Sequence, residues 1–156
     1  MAGLYYEQFS IGQVFEHAIR RTVTEMDNVM ISALTHNPAA LHLDEEYCRE
    51  HLEFGQRIVN SVFTLGLMVG VSVGDTTLGT TIANLGWDDV RFPKPVFHGD
   101  TIHVRTTIIE MRESKSRPNA GVVTFLHEGF NQRNELIGTC KRMGLMLKVP
   151  TGKAKA

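Results

Sequence analysis

The sequence predicts an α+β fold in which an antiparallel sheet wraps around one buried helix. Two observations predict it: an apolar helical segment over Ile58–Val73, and long segments of alternating polarity after Thr80. The chain has 156 residues, of which 42% are apolar and 21% are charged, a composition that suits one globular domain. We therefore expect a single domain over residues 1–149 and a small, polar, disordered tail over residues 150–156.

The first third of the chain predicts one strand followed by two helices. Residues 13–23 are rich in β-forming side chains and predict the strand. Thr24 can cap a helix, and the apolar residues after it recur at helical spacing. This helix is expected to end at Asn37-Pro38, because a residue before proline avoids the helical conformation. A second, short helix is expected over residues 44–51.

The segment Ile58–Val73 predicts the central helix. Asn60 or Ser61 can cap it, and apolar side chains then point in every direction around its axis. A helix of this kind must be buried on all sides. A membrane span is the competing interpretation, but a span needs about 20 apolar residues, more than this segment provides. We therefore expect a buried helix and no membrane association.

Three long segments after the helix predict strands. They cover residues 101–110, 121–130 and 136–149, with polar and apolar side chains alternating along them. Short turn sequences join them, so the strands are antiparallel, because parallel pairing needs a long crossover. A sheet curled around the helix is the hotdog architecture. Its free edges predict a homodimer or a larger homo-oligomer.

Charge and cysteine content exclude several classes of protein. Sixteen basic residues face 17 acidic ones, for a net charge of −1, whereas nucleic-acid modules usually carry a basic excess. Cys48 and Cys140 lie far apart, which argues against a structural zinc site or a disulfide scaffold and predicts two reduced thiols. The first residues lack the pattern of a secretory signal. We expect a cytoplasmic protein without nucleic-acid partners or a metal.

Histidines are the candidate catalytic residues. His42 follows the break after the first helix, and Asn37 is spaced to face the same pocket. With a pKa near 6.5, an imidazole can take and return a proton around neutral pH. The histidines in predicted strands, His17, His103 and His127, are expected at surface or satisfied positions, and His98 beside a Gly-Asp turn is expected to be exposed.

At these residues the sequence resembles the MaoC-like dehydratases, the R-specific enoyl-CoA hydratases of hotdog fold. The family signature is an Asp, four residues and a His, and here Asn37 and His42 occupy the two ends. The resemblance spans about residues 10–145 and includes further matching segments at Phe54-Gly55, Arg57–Val59, Arg91–Val96 and Gly99-Asp100.

The chain departs from the family pattern at two places. Asn37 stands at the aspartate position, and Asn60-Ser61 stands where His-Gly usually opens the central helix. The subgroup of mesaconyl-CoA hydratase (β-methylmalyl-CoA dehydratase), which acts on branched C4–C5 dicarboxylic acyl-CoA thioesters, resembles the chain more closely. There too an Asn precedes Leu-His.

The resemblance implies reversible hydration of an α,β-unsaturated acyl-CoA thioester, with no cofactor beyond the CoA of the substrate. It implies catalytic roles for His42 and Asn37, and Asn37 can hold water or orient His42 but cannot act as a base. The Ser61 N–H, with Asn60 before it, is the expected donor to the thioester oxygen, because the first N–H groups of a helix lack internal partners. Arg57 is expected to bind a second carboxylate of the substrate.

Two other functions remain open. A non-catalytic acyl-CoA-binding protein of the same fold is compatible with Asn37 at the aspartate position. An acyl-CoA thioesterase is less favoured, since thioesterases of this fold usually carry a carboxylate on the central helix. Residues 62–73 contain none.

Overall fold

An antiparallel sheet lies against one long helix in the computed structural model, which describes residues 3–150. The helices are α1 (Glu25–Leu34), α2 (Ala40–Leu43), α3 (Glu45–His51) and α4 (Ser61–Thr76), and a 3-10 turn covers Tyr6–Gln8. The strands are β1 (Val14–Glu16), β2 (Arg21–Thr22), β3 (Thr81–Arg91), β4 (Thr101–Glu113), β5 (Ala120–Phe130) and β6 (Leu136–Leu147). The sheet runs in the order β1-β4-β5-β6-β3, and β2 also pairs with β4. The predicted α+β class is confirmed.

The strand β4 follows the predicted alternation, whereas β5 does not, since the residues 120–125 are all buried. In β4, the residues Ile102, Val104, Thr106 and Ile108 are buried, and the residues between them are half-buried. The predicted first strand over residues 13–23 forms two short strands instead, because the residues 18–20 between them do not pair with β4. The predicted tail lies outside the described residues except for Pro150, and the domain limits 1–149 stay a prediction.

Two opposed glycines let α4 approach the sheet closely. Gly129 on β5 pairs directly with Gly138 on β6, and the fully buried Met68 of α4 lies over both. A Cβ atom at Gly138 would come within 2.7 Å of the Met68 sulfur, and one at Gly129 within 2.9 Å of its Cγ. These residues therefore fix how deeply the helix sits in the curved sheet.

The central helix is buried on most of its circumference, but one stripe is open. Val62 is 55% exposed, and Gly66, Gly70 and Gly74 follow it on the exposed side. The prediction that α4 is buried on all sides is therefore wrong for the single chain. The apolar run that predicted full burial included these glycines, but a glycine has no side chain that must be buried, so a stripe of glycines can face solvent. Among residues 3–150, no helix has the length and apolarity to cross a bilayer.

The helix α1 exposes its apolar side chains and buries polar ones, the inverse of the usual arrangement. Met26, Met30 and Leu34 are 69%, 53% and 73% exposed, whereas Asn28 and Ser32 are fully buried. The apolar spacing that predicted α1 therefore marks its outer face. A globular helix usually turns such a stripe toward the core.

The ends of the first helices are set by side-chain hydrogen bonds. The Thr24 hydroxyl caps α1 as predicted, accepting from the Asp27 N–H. The helix stops at Leu34 and not at Asn37-Pro38, because His36 adopts a positive φ of 54° and interrupts the helical backbone. Asp44 caps α3, where its Oδ1 accepts from the Tyr47 N–H at 2.9 Å.

A chain of polar side chains crosses the core. His17 Nδ1 lies 2.8 Å from the Asp75 carboxylate, and its Nε2 lies 2.8 Å from the Thr106 hydroxyl. That hydroxyl lies 2.9 Å from Nδ1 of the buried His127. The expectation that strand histidines are exposed or satisfied therefore holds for His17. It is wrong for His127 and for His103, because Nε2 of His127 and Nδ1 of His103 are buried without a partner among residues 3–150.

Candidate active site

His42 lies in the short helix α2 rather than in a loop, and its ring is held by one backbone carbonyl. His42 Nδ1 donates to the Ile58 carbonyl oxygen at 2.8 Å. Because a carbonyl only accepts, Nδ1 must carry the proton, and Nε2 of the neutral ring keeps its lone pair. Within the described residues no hydrogen bond occupies Nε2. His42 is 8% exposed. The ring is therefore prepared to accept a proton at Nε2.

The start of α4 presents a free donor. Asn60 is the N-cap, and its Oδ1 accepts from the Val62 N–H at 3.0 Å. The Asn60 carbonyl accepts from the Phe63 N–H at 3.0 Å. The Ser61 N–H between them has no partner in residues 3–150. Together with the helix dipole it forms a site for negative charge.

A cleft of about 260 Å³ opens at this helix end. Its lining is mostly apolar: Phe54, Ile58, Val59, Ser61, Thr64, Phe92, Lys94, Pro95, Val96 and Ile137. Ile58 and Ser61 both line it, so the carbonyl that holds His42 and the free N–H belong to residues of one cleft. His42 itself is not among the lining residues. Lys94 reaches its rim and pairs with Glu135 at 2.6 Å.

Asn37 lies outside the cleft lining. Its Oδ1 accepts from the Ala39 N–H at 3.0 Å, and its own N–H donates to the Ser32 carbonyl at 2.9 Å. No hydrogen bond joins its side chain to His42 among residues 3–150. The structure thus places Asn37 in the turn that leads into α2, with its amide nitrogen unengaged by the described residues.

Arg57 is engaged by two carboxylates. Its Nη2 lies 2.7 Å from Glu25 of α1, and its Nε lies 2.7 Å from Glu45 of α3. Its side chain is only 13% exposed, and it does not line the cleft. The guanidinium therefore ties two helices together, and its predicted contact with a substrate carboxylate stays a prediction.

Sequence reasoning missed Asn28 and misplaced His98. Asn28 is fully buried in α1, and its Nδ2 lies 3.0 Å from His98 Nε2. His98 is half-buried rather than exposed, and burial together with the nearby Arg57 lowers its pKa. The available signal was the shared face of Asn28 and Ser32, opposite the methionines of α1. Among residues 3–150, no three His, Cys, Asp or Glu side chains converge as metal ligands do.

Two curated relatives cover most of this chain. The mesaconyl-CoA hydratase of Cereibacter sphaeroides is 31% identical over 150 residues, which are 96% of this chain and 43% of that protein. The β-methylmalyl-CoA dehydratase of Chloroflexus aurantiacus is 31% identical over 135 residues, 86% of this chain and 38% of that protein. The chain therefore spans less than half the length of these relatives.

Solved structures match the same fold. A monoamine oxidase regulatory protein from Archaeoglobus is 34% identical with a TM-score of 0.84, covering 96% of this chain and 98% of its own. A Mycobacterium tuberculosis protein described as a double hotdog fold is 22% identical with a TM-score of 0.86, covering 99% of this chain and 47% of its own. The hotdog fold is thereby confirmed. Residues 7–129 match the family model described as a MaoC-like domain, and the chain belongs to that family.

Proposed function

We propose that this domain is a hydro-lyase that reversibly hydrates an α,β-unsaturated acyl-CoA thioester to a 3-hydroxyacyl-CoA. One observation carries the proposal: the Ile58 carbonyl that fixes His42 and the free N–H of Ser61 belong to residues lining one apolar cleft. Membership of the MaoC-like family, and relatives named as a hydratase and a dehydratase, support it.

The hydration requires two proton transfers and the stabilisation of a negative charge on the thioester oxygen. His42 Nε2 takes a proton from water while the water oxygen bonds to the β-carbon. The electron pair of the double bond moves toward the thioester, and its carbonyl oxygen becomes an enolate oxygen. The Ser61 N–H and the α4 dipole stabilise that charge. His42 then returns its proton to the α-carbon, which restores the thioester and completes the addition.

Asn37 has a positioning role in this proposal. A carboxamide does not titrate near neutral pH, so Asn37 cannot remove a proton from water. Its unengaged amide nitrogen can donate to the oxygen of the attacking water. His42 is then the single general base. In the family pattern, a carboxylate at the position of Asn37 accompanies this imidazole.

We propose a branched C4–C5 dicarboxylic acyl group as the substrate class. The names of the relatives at 31% identity support it, and the cleft supplies apolar walls with Lys94 at the rim. Recognition of the second carboxylate by Arg57 requires that residue to exchange Glu25 or Glu45 for the substrate. The proposed chemistry needs no cofactor. We also propose that the protein acts in the cytoplasm as an assembly of two or more copies.

A non-catalytic acyl-CoA-binding protein is the second candidate. Asn37 at the aspartate position favours it, since a general base contributes about 10²–10⁴-fold to a rate. Thioester hydrolysis is less favoured. Asp75, the carboxylate of α4, lies near the end of the helix remote from Ser61 and pairs with His17.

A panel of enoyl-CoA thioesters separates these functions. Purified protein is expected to consume trans-2-enoyl-CoA or C4–C5 dicarboxylic enoyl-CoA, followed as loss of enoyl absorbance. His42→Ala should lower kcat by about 10²–10⁴-fold with an unchanged circular dichroism spectrum. His51→Ala, at an exposed histidine of α3, is the matched control and should retain activity. Binding without turnover would establish the binding protein, and release of free CoA would establish the thioesterase.

A further inference from the structure

We propose that Asn28 is a positioning residue that sets the His42 ring and the first turn of α4 with one buried amide. The proposal rests on the hydration proposed above and extends it to a residue outside the cleft. Asn28 is fully buried, so no bulk water competes for its hydrogen bonds.

Both ends of the Asn28 amide are used. Its Oδ1 accepts from the Asn60 N–H at 2.9 Å. Its Nδ2 lies 3.1 Å from the carbonyl oxygens of His42 and Ile58, and 3.0 Å from His98 Nε2. The Asn60 N–H can only donate and the carbonyls can only accept, so the orientation of the amide is fixed by its partners.

The donor end of the amide acts on the His42 ring. The Ile58 carbonyl receives His42 Nδ1–H and the Asn28 Nδ2–H together. The same amide also holds the backbone carbonyl of His42. Without these bonds, the Ile58 carbonyl loses its second donor, and its peptide group is held by the Val59 N–H, which donates to the Val96 carbonyl at 2.8 Å. Asn28 therefore adds a second constraint on the carbonyl that selects which His42 ring nitrogen is left to accept a proton.

The acceptor end acts on α4. Asn60 is the residue whose side chain caps the helix, and its backbone N–H is held by Asn28. Ser32, also on the buried face of α1, accepts from Asn60 Nδ2 at 3.3 Å. The direction of the next N–H, that of Ser61, follows from the placement of this cap. The Asn28 side chain thus helps to fix the position of the His42 ring relative to the Ser61 N–H, although Asn28 and Asn60 are 32 residues apart in the sequence.

His98 is the third acceptor around an amide nitrogen that carries two hydrogens, so one Nδ2–H is shared between two acceptors. An amide nitrogen does not accept, so His98 Nε2 at 3.0 Å bonds to it only when that ring nitrogen is unprotonated, and a neutral ring then carries its proton on Nδ1. The lowered pKa of His98, caused by burial and by Arg57, agrees with a neutral ring. Protonated His98 would direct a second donor at the amide nitrogen.

The test is Asn28→Asp, which keeps an acceptor for the Asn60 N–H but removes the donor to the Ile58 and His42 carbonyls. We expect kcat to fall by about 10²-fold, the loss that small misplacement of a catalytic group can cause, with a smaller change in KM. We also expect ¹⁵N NMR of His42 to change from the Nδ1–H tautomer to a mixture. Wild-type kcat with an unchanged tautomer would overturn the proposal.

Controls keep this result distinct from failure of the proposed function. Asn131→Asp makes the same change at an equally buried asparagine in the β5–β6 turn, and it should leave the His42 tautomer unchanged. If Asn28→Asp does not fold, Asn28→Ser, which is neutral, is measured in its place. The wild-type tautomer requires no turnover, so a protein inactive on every thioester still tests this inference. A wild-type His42 in the Nε2–H tautomer would refute it.

Discussion

His127 and Arg142 lie buried together in the core, and neither is fully satisfied. Arg142 is 5% exposed, and its Nε and Nη2, like Nε2 of His127, have no partner among residues 3–150. The Arg142 guanidinium lies 4.9 Å from the centre of the Phe125 ring, which stacks on His127. Burial, with Arg142 and His17 nearby, lowers the pKa of His127 to about 3. The imidazole is therefore neutral at physiological pH.

This residue predicts acid sensitivity. Between pH 6.5 and about 3 the unfolded chain binds a proton at His127 that the folded protein does not. The contribution to the free energy of unfolding is complete above pH 6.5 and decreases by up to about 1.4 kcal/mol per pH unit as the pH falls. Urea unfolding at pH 7, 6 and 5 measures this slope. His127→Gln should flatten it, and the exposed-site control His51→Gln should not. Equal slopes in both variants would contradict the assignment.

At the scale of elements, the helix α1 shows what the sequence determines and what it does not. Local signals predicted the cap at Thr24, a cap at Asn60 or Ser61, and a helix starting at Asp44, because each cap bonds within three residues of itself. The hydrogen-bond partners of the buried polar face of α1 lie 14 or more residues away in the sequence, so no local pattern predicted that this face turns toward the core. The alternation in β4 was readable because burial on one face imposes a period of two. In β5 the predicted alternation fails, because six consecutive residues, 120–125, are buried.

The candidate site was predictable to the same extent. The position of His42 followed from its motif, and that of Ser61 from the start of an apolar helix. Asn28 was not predicted, because its role depends on three backbone groups brought together by folding. The placement of Arg57 depends in the same way on Glu25 and Glu45, which lie on two different helices.

Because α1 buries its polar face, replacing an apolar residue of this helix should destabilise the protein less than replacing a polar one. Met30→Gln replaces an exposed apolar residue and should change the free energy of unfolding by less than about 0.5 kcal/mol. Ser32→Leu makes the buried face more apolar but overfills it and leaves Asn60 Nδ2 unpaired, so a loss of about 1–3 kcal/mol is expected. Chemical denaturation of both variants measures the difference. Greater damage from Met30→Gln would show that the outer face is part of the core.

At the scale of the whole molecule, β3 leaves one edge of the sheet open. It extends from Thr81 to Arg91 and pairs only with β6 in the described chain. Leu85 and Trp87 on this strand are 48% and 49% exposed. A long edge strand that exposes apolar side chains offers unpaired backbone groups to another strand. A second copy of the chain, paired edge to edge, would satisfy them.

Light scattering during size-exclusion chromatography is expected to give twice the 17.4 kDa of one chain, or a higher multiple. Leu85→Lys places a charge on the edge and should shift the protein toward the monomer. Met26→Lys, on the exposed face of α1, is the matched control and should leave the assembly intact. A monomeric wild-type protein, or dissociation by Met26→Lys alone, would reject pairing through β3.

The two thiols lie in different parts of the molecule. Cys48 is buried in α3, with its Sγ 3.6 Å from the Leu41 carbonyl of α2, and Cys140 is buried in β6. Burial raises the pKa of both, that of Cys140 to about 11, so neither is reactive while covered. Alkylation of Cys48 therefore reports the separation of α3 from the segment that carries His42, whereas alkylation of Cys140 reports disruption of the sheet. The rates of the two modifications distinguish local opening beside the catalytic histidine from global unfolding without any introduced label.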